Sequence, residues 1–250
     1  MSSIGDIVLS TSFIQSVKDK FPDSEIDFLI KSEFVDIIKD HPIIDNTIVF
    51  DKKLGFKELV RLGKSLRSNN YDIIYDIHSV FRTRVLSFFL RNHLFKQIKK
   101  PRLRRFMLFY AYQNFFEKSF SHIKMYHSLL EKKDSFPKTN LHLSEKEIED
   151  TKRYLSNNNI GNNFITIVPG AAWSQKQWSI DNYNNLMTRL IKAFNSKIVI
   201  LGSTNDIICD QIIKSENIIN LKDRTTLRMA MGILKFSKHT IGSDTGLLHI

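Results

Sequence analysis

Residues 164–201 read FITIVPGAAWSQKQWSIDNYNNLMTRLIKAFNSKIVIL. A five-residue apolar run, Phe164–Val168, leads into a loop of small residues, and the spacing of apolar residues then predicts a helix over Ile180–Phe194. A second apolar run, Lys197–Leu201, follows. A strand, a helix and a strand in this order are typical of a βαβ unit, in which the two strands are parallel. The stretch therefore predicts an α/β chain.

The same alternation continues on both sides of this unit. Further strands are predicted at Glu25–Ile30, Thr47–Phe50, Asp72–Ile77, Ile218–Leu221 and His239–Gly242. Further helices are predicted at 7–20, Glu33–Lys39, Phe56–Leu66, 144–156, Asp206–Lys214 and Leu227–Phe236. Ser144 and Glu147 have the spacing of a capping box at a helix start. We predict two α/β domains, 1–140 and 145–250, joined by a linker at 135–144.

The alternation stops short at both ends of the chain. Residues 2–6 (SSIGD) read as a turn that feeds a helix, although a βαβ domain usually opens with a strand. Residues 242–250 (GSDTGLLHI) read as a turn that only begins a helix. We expect that the chain lacks a first strand and a C-terminal tail.

The composition narrows the class of protein. The 250 residues carry 37 Lys and Arg against 26 Asp and Glu, a net charge of +11 that favours anionic partners. Cys209 is the single cysteine, so no intramolecular disulfide forms and a reducing compartment is favoured. No apolar run approaches the ~18 residues of a membrane-spanning helix, and Asp6 interrupts any signal-peptide pattern.

Much of the positive charge falls in residues 77–116. This stretch has no Asp or Glu and interleaves phenylalanines with nine basic residues, Arg82, Arg84, Arg91, Lys96, Lys99, Lys100, Arg102, Arg104 and Arg105. We predict mostly helix with a break at Pro101. Three interpretations stay open: a nucleic-acid-binding surface, an aromatic stripe that is buried or faces a membrane, and solvated charge on an exposed helix face.

Candidate functional residues follow predicted strands or begin predicted helices. Asp6 suits either a helix cap or a general base. Lys176 suits either a solvated lysine or a phosphate ligand, and residues 243–246 offer backbone N–H groups to an anion. His78 and His249 fit structural roles as well as places in a cleft.

Several familiar motifs are missing from the sequence. It contains no G-x-G-x-x-G, no G-x-x-x-x-G-K-[ST], no H-E-x-x-H and no G-x-S-x-G. Classical NAD binding, P-loop hydrolysis, zinc proteolysis and α/β-hydrolase chemistry therefore lose support. No D-x-D pair stands at a strand end to hold a metal on a diphosphate, so we expect neither a metal site nor a cofactor.

Several blocks resemble the heptosyltransferase family, glycosyltransferase family 9, whose members extend the lipopolysaccharide core. The blocks are SSIGDIVLSTSFIQSVKDKFPDSEIDFLI, IIDNTIVFDKK, YDIIYDIHSVFRTRVLSFFL, ITIVPGAAWSQKQWSIDNYNNL, IVILGSTND and HTIGSDTGLLHI. The resemblance implies two Rossmann-like domains that face each other across a cleft, the GT-B arrangement. It also implies an inverting, metal-independent transfer of heptose from ADP-heptose to a lipopolysaccharide-core acceptor.

The resemblance also assigns roles by position. Asp6 would deprotonate the acceptor hydroxyl, and Lys176 would stabilise the leaving diphosphate. The implied donor-binding residues are Lys176, Ala171, Ala172, Ser203, Asp244, Thr245, Gly246, Leu247 and His249. The implied acceptor-binding residues are His78, Arg82 and Arg84. Ala171 and Ala172 depart from the hydroxyl residues that relatives often carry there, which leaves the donor sugar open.

The expected partners are a nucleotide-sugar donor and a lipopolysaccharide-core acceptor, without nucleic acid. We expect a cytoplasmic protein with peripheral contact to the anionic inner face of the cytoplasmic membrane. The alternatives are a glycosyltransferase that uses another nucleotide sugar, and a non-catalytic relative that binds a nucleotide sugar or nucleic acid.

Overall fold

Two compact α/β units make up the chain. The computed structural model describes residues 3–91, 93–130 and 135–250. The N-terminal unit comprises mainly Asp6–Val35 and His41–Asn140, and the C-terminal unit comprises mainly Leu141–Ile250 with the segments Ser3–Gly5 and Asp36–Asp40. All the strand pairs within the described residues are parallel, which confirms the predicted fold class.

Short strands alternate with helices in the described chain up to residue 130. The helices are α1 (Ile4–Lys20), α2 (Val35–Ile38), α3 (Gly55–Arg67), α4 (Phe81–Phe89), α5 (Arg102–Tyr110) and α6 (His122–His127). The strands are β1 (Asp27–Lys31), β2 (Asn46–Phe50), β3 (Ile73–Asp76) and β4 (Leu94–Gln97). β1 pairs with β2, and β3 pairs with β4.

Helix α1 is buried on most of its circumference. Its apolar side chains at Ile7 and Phe13 are at most 3% exposed, and its hydroxyl residues between positions 10 and 16 are buried as well. Burial of a hydroxyl is tolerated when it is hydrogen-bonded. Ser12 Oγ donates to the Pro137 carbonyl at 2.6 Å, and Ser16 Oγ lies 3.0 Å from His127 Nε2. These bonds tie the end of the N-terminal unit to α1.

The stretch 77–116 is less helical than predicted. Leu94–Gln97 forms β4 beside β3, so the prediction of helix is wrong there. A strand of four residues is too short for its periodicity to separate it from a helical turn. The predicted break at Pro101 is confirmed, because α5 begins at Arg102. Among the described residues, no helix combines the length and the apolar character needed to cross a bilayer.

The C-terminal unit is built on one four-stranded parallel sheet. Its helices are α7 (Glu145–Asn157), α8 (Ile180–Phe194) and α9 (Leu227–Phe236). Its strands are β5 (Phe164–Val168), β6 (Lys197–Ile200), β7 (Ile218–Asn220) and β8 (Thr240–Gly242), in the spatial order β7-β6-β5-β8.

Strand β5 lies at the centre of this core. All five of its residues are buried, as expected for a parallel strand that is covered on both faces. Phe164 and Val168 pack with residues of α7 and α9, whereas Ile165 and Ile167 pack with residues of α8. Alternate residues of β5 therefore hold two separate apolar cores together.

One predicted helix of this unit is much shorter than expected. Residues 206–214 contain only a 3₁₀ turn at Ile207–Gln211, so the prediction of a helix over Asp206–Lys214 is wrong. The backbone of Ile212 is extended, with φ −69° and ψ 138°, which ends the turn. The buried thiol of Cys209 lies in this turn, and burial raises its pKa to about 12.

A partly buried ion pair connects the start of α7 with α9. The predicted capping box is confirmed, since Glu147 Oε2 accepts from Ser144 N at 2.9 Å and Ser144 Oγ accepts from Glu147 N at 3.3 Å. Arg228 donates through Nε and Nη2 to Glu147 at 2.7 and 2.5 Å, and through Nη1 to the Asp36 carbonyl at 3.1 Å. The hydrogen bond from Arg228 lowers the pKa of Glu147 to about 2.

We expect Arg228→Met to destabilise the C-terminal unit by roughly 2–3 kcal/mol, because Glu147 would keep its charge without its main partner. The folded pKa of Glu147 lies below its usual 4.5, so its contribution is complete above pH 4.5 and is lost as the pH falls through about 2. Urea unfolding followed by circular dichroism measures the loss.

Arg153→Met is the matched control for this experiment. Arg153 is exposed and forms an i,i+3 pair with Asp150 at 3.6 Å, so its loss should change the unfolding free energy by less than about 0.5 kcal/mol. Equal effects from the two substitutions would contradict the role given to Arg228.

Candidate functional site

Three loops of the C-terminal unit leave the same edge of its sheet. They follow β6, β5 and β8, which are adjacent and parallel, so their carboxyl ends meet at one edge. Ligands of open α/β sheets bind at this edge. The predicted donor-binding residues all belong to these loops. They are Ser203 after β6, Ala171, Ala172 and Lys176 after β5, and Asp244, Thr245, Gly246, Leu247 and His249 after β8.

Lys176 and Asp244 bring two of these loops into contact. Lys176 Nζ donates to Asp244 Oδ2 at 2.5 Å, and this hydrogen bond lowers the pKa of the Asp244 carboxyl. His249 Nε2 lies 3.9 Å from Asp244 Oδ1. The structure thus places a cation, a carboxylate and an imidazole from the predicted site together. Lys176 and Asp244 are both largely exposed, so a ligand can reach them.

The buried hydroxyl of Ser243 connects the loops that follow β5 and β8. Ser243 is 5% exposed, and its Oγ donates to the Pro169 carbonyl at 3.1 Å. The hydroxyl of Tyr183, on α8, lies 3.0 Å from Ser243 Oγ and acts as the donor to it. Sequence reasoning missed Tyr183, because its position in the helical pattern is that of an ordinary core aromatic. The two hydrogen bonds hold the start of each loop in a set position.

Close backbone packing joins the loop after β5 to the loop after β6. A Cβ on Gly170 would lie 2.0 Å from Asp206 Oδ1, so a larger residue there would displace the Asp206 side chain. Asp206 Oδ2 accepts from Ser203 N at 2.6 Å and from Ser203 Oγ at 2.8 Å. Asp206 was missed by sequence reasoning, although its place three residues after Ser203 in a strand-end loop was a usable signal. Ser203 is therefore held by Asp206 with its side chain at the surface.

The remaining donor-loop residues offer backbone more than side chains. Ala171 is half-buried and Ala172 is exposed. Thr245 precedes a 3₁₀ turn at Gly246–His249, in place of the helix start predicted there, and its side chain makes no capping hydrogen bond. Leu247 packs against the apolar core beside α9. The N–H groups that begin the turn are thus not capped by Thr245.

In the N-terminal unit, Asp6 lies in the first turn of α1. The hydroxyl of Tyr126, on α6, donates to Asp6 Oδ1 at 3.3 Å. Burial and the nearby Asp6 charge raise the pKa of Tyr126 above its usual range, so the phenol stays protonated and remains a donor. Tyr126 was not predicted, because 120 residues separate it from Asp6 and no local pattern marks it.

Two more titratable side chains share the surroundings of Asp6. His78 follows β3, and burial, assisted by the Lys100 charge, lowers its pKa to about 4. Burial also lowers the pKa of Lys100, while the Asp6 charge acts in the opposite direction. Lys100 is a second residue that sequence reasoning did not place at the site. A neutral imidazole, an ammonium group and a carboxylate therefore influence one another here.

The turn before α4 is held by Asp76. Its Oδ1 accepts from the backbone N of His78 at 2.9 Å and of Ser79 at 2.8 Å, which fixes the backbone of His78. Arg82 and Arg84 follow in the first turn of α4, where Arg82 is half-buried and Arg84 is exposed. Their part in acceptor binding stays a prediction.

In the part of the chain that the structure describes, no group of three or more His, Cys, Asp or Glu side chains is arranged to hold a metal ion. Lys176 supplies positive charge beside Asp244, and Lys100 supplies positive charge near Asp6.

Comparison with known proteins decides the family. The model of glycosyltransferase family 9 (heptosyltransferase) matches residues 59–250, more than half of the chain. The chain belongs to glycosyltransferase family 9. It is therefore a glycosyltransferase, and the predicted family is confirmed.

Relatives of this family match over the full length of the chain. A lipopolysaccharide heptosyltransferase 3 of Escherichia coli is 23% identical and covers 98% of the chain, with 76% of its own length matched. A family 9 glycosyltransferase from Veillonella parvula superposes with a TM-score of 0.81 at 19% identity, over 100% of this chain and 74% of that one. The E. coli ADP-heptose lps heptosyltransferase II superposes with a TM-score of 0.76 at 21% identity, over 100% and 78%. These superpositions confirm the GT-B type of fold for this family 9 chain.

We expect His78 of this glycosyltransferase to titrate near pH 4, well below the usual 6.5, because burial disfavours its charged form. The folded state then binds fewer protons than the unfolded state between these values, so His78 costs stability as the pH falls from 6.5 towards 4. Histidine NMR titration measures the pKa, and His78→Gln assigns the resonance. Titration of that resonance near 6.5 would contradict the buried, neutral imidazole.

Proposed function

We propose that this glycosyltransferase transfers heptose from ADP-heptose to a lipopolysaccharide-core acceptor, with inversion at the anomeric carbon and without a bound metal ion. Membership of the family and the heptosyltransferases among its relatives support this choice. The observation that carries it is the Lys176–Asp244 pair, because it joins a cation and a carboxylate at the sheet edge where a nucleotide sugar would bind.

The C-terminal unit holds the donor in this proposal. The backbone N–H groups at Gly246 and Leu247 bind the diphosphate, as the uncapped start of a helical turn favours an anion. Asp244 binds hydroxyl groups on the sugar side, where a carboxylate acts as an acceptor. Lys176 then gives up part of its contact with Asp244 and binds the diphosphate. Ala171 and Ala172 let the backbone approach the ligand closely.

Charge on the leaving group is the main demand of the reaction. When the anomeric carbon–oxygen bond breaks, negative charge grows on the β-phosphate of ADP. Lys176 neutralises this charge as a point charge, and the backbone N–H groups add fixed dipoles. These groups take the place that a divalent cation has in metal-dependent transferases.

The N-terminal unit supplies the base. Asp6 takes the proton of the acceptor hydroxyl as its oxygen attacks the anomeric carbon from the side opposite ADP, and a single displacement of this kind inverts the configuration. The Tyr126 hydroxyl donates to Asp6 Oδ1 and thereby orients the carboxylate that takes the proton. His78, Arg82 and Arg84 contact the acceptor, and Lys100 attracts its anionic groups.

We also propose that the enzyme works in the cytoplasm, in peripheral contact with the anionic inner face of the cytoplasmic membrane. A lipid-linked acceptor is confined to that surface, and the acid-free basic stretch 77–116 would be drawn to it.

Incubation with ADP-heptose and a purified lipopolysaccharide-core acceptor tests the activity. We expect ADP release that depends on the acceptor, a product whose new linkage is inverted by NMR, and no loss of rate in EDTA. Release of ADP without acceptor, retention of configuration, or faster transfer from another nucleotide sugar would contradict the proposal.

Substitution separates the two catalytic roles. We expect Asp6→Asn to lower kcat by roughly 10²–10⁴-fold with little change in donor affinity, because the amide cannot accept the proton. Lys176→Ala should raise the donor KM by about tenfold and also lower kcat, because Lys176 neutralises the charge of the diphosphate in both the ground state and the transition state. Steady-state kinetics with each substrate varied in turn measures both effects.

Asp19→Asn and Lys192→Ala are the matched controls. Asp19 is an exposed residue of α1 that accepts from Gln15 Nε2 at 2.8 Å, and Lys192 is exposed in the last turn of α8. Both should keep normal kinetics. If the site substitutions behaved like these controls, the assigned roles would be wrong.

A further inference from the structure

Helix α5 of the N-terminal unit presents an unusual surface. None of its nine residues is buried, although more than half of them are apolar. Leu103 is 73% exposed, Phe106 55%, Phe109 72% and Tyr110 75%. Beyond the helix, Tyr112 is 90% exposed. An apolar group in water is unfavourable, and contiguous exposed groups of this kind mark interaction sites.

The apolar residues of α5 form one stripe. Leu103, Phe106 and Tyr110 follow the i, i+3, i+7 spacing of a single helix face, and Phe109 borders it. The rings of Phe106 and Tyr110 stack with their centroids 4.7 Å apart. The stripe thus consists of large side chains that are exposed to solvent.

Basic residues flank this stripe. Arg102, Arg104 and Arg105 belong to the same helix, inside the stretch 77–116 that has no acidic residue. Arg104 has only a loose ion pair with Glu117, at 3.9 Å. Arg105 Nη2 lies 3.0 Å from His122 Nε2, and its charge acts on Tyr126, the partner of Asp6. The helix therefore carries its charge beside the stripe and toward the proposed acceptor site.

We propose that α5 with the following residues to Phe115, here called the α5 surface, docks onto an anionic lipid bilayer. A helix that exposes aromatic and leucine side chains beside arginines inserts its apolar side chains at the headgroup boundary. The arginines are attracted by anionic headgroups. The inference deepens the proposed function, on which it rests only for the identity of the lipid-linked acceptor.

The distribution of charge and apolar side chains favours a bilayer over a second copy of the chain and over nucleic acid. A second copy of the chain would bring two acid-free basic stretches together, which like-charge repulsion opposes. Nucleic acid would be attracted by the arginines, but single-stranded bases stack along an extended basic groove, whereas the exposed side chains here follow one helix of nine residues. A bilayer satisfies both the apolar stripe and the positive charge.

Vesicle flotation tests the α5 surface directly. Vesicles of phosphatidylethanolamine with about one-third phosphatidylglycerol are compared with vesicles of phosphatidylcholine alone. We expect at least tenfold stronger binding to the anionic vesicles, and a decline as salt is raised. Leu103→Ser, Phe106→Ser and Phe109→Ser combined should reduce binding at least tenfold, and Arg104→Gln should reduce it about fivefold on anionic vesicles only.

The matched control replaces three apolar residues of similar exposure elsewhere. Leu54→Ser, Phe56→Ser and Phe194→Ser combined remove side chains that are 59%, 61% and 61% exposed, and binding should stay within twofold of the original. Circular dichroism and thermal unfolding verify that both triple variants are folded. Equal loss in both, or no loss in the α5 variant, would overturn the inference.

Three further readouts distinguish the alternatives. A change in the oligomeric state of the α5 variant by light scattering, or tighter binding to an oligonucleotide than to anionic vesicles, would overturn the inference in favour of another partner. Transfer to a lipid-free core acceptor should be unchanged in the α5 variant. If no variant transferred heptose while vesicle binding followed the pattern above, the proposed function would fail and the α5 surface would stand.

Discussion

The burial of β5 on both faces is the constraint on which the C-terminal unit depends. Phe164 and Val168 serve one apolar core, and Ile165 and Ile167 serve the other, so the strand cannot slip by one residue without exchanging them. Parallel pairing with β6 and β8 then brings three loops out at one edge. The contact between Lys176 and Asp244 follows from this register, because each residue comes a fixed distance after its own strand.

The two units position the charged residues of the proposed site in different ways. In the C-terminal unit, Lys176 and Asp244 lie at one edge of the sheet because their loops follow neighbouring strands. Ser243 holds the beginnings of these loops through its hydrogen bonds with Pro169 and Tyr183. In the N-terminal unit, the buried helix α1 carries Asp6 at its start, and α6 supplies the Tyr126 hydroxyl. The first arrangement suits the recognition of a diphosphate by backbone and Lys176. The arrangement in the N-terminal unit suits the proposed role of Asp6 as a proton acceptor.

The sequence predicted most of what depends on local pattern. The bounds of β5, α8 and α9 agree with their apolar periodicity, and the capping box at Ser144 and Glu147 formed as its spacing indicated. The failures came where tertiary contacts decide. Strand β4 exists because it pairs with β3, and the stretch 206–214 remains a 3₁₀ turn that ends at the extended Ile212. Tyr126 and Lys100 could not be found, because only folding brings them near Asp6.

We propose that the sheet edge of the C-terminal unit recognises a nucleoside diphosphate through Lys176. Calorimetric titration with ADP and with AMP tests it most directly, since the two ligands differ by one phosphate. We expect ADP to bind about tenfold or more tightly than AMP, and Lys176→Ala to remove most of this difference. Equal binding of ADP and AMP, or an unchanged preference in Lys176→Ala, would contradict it.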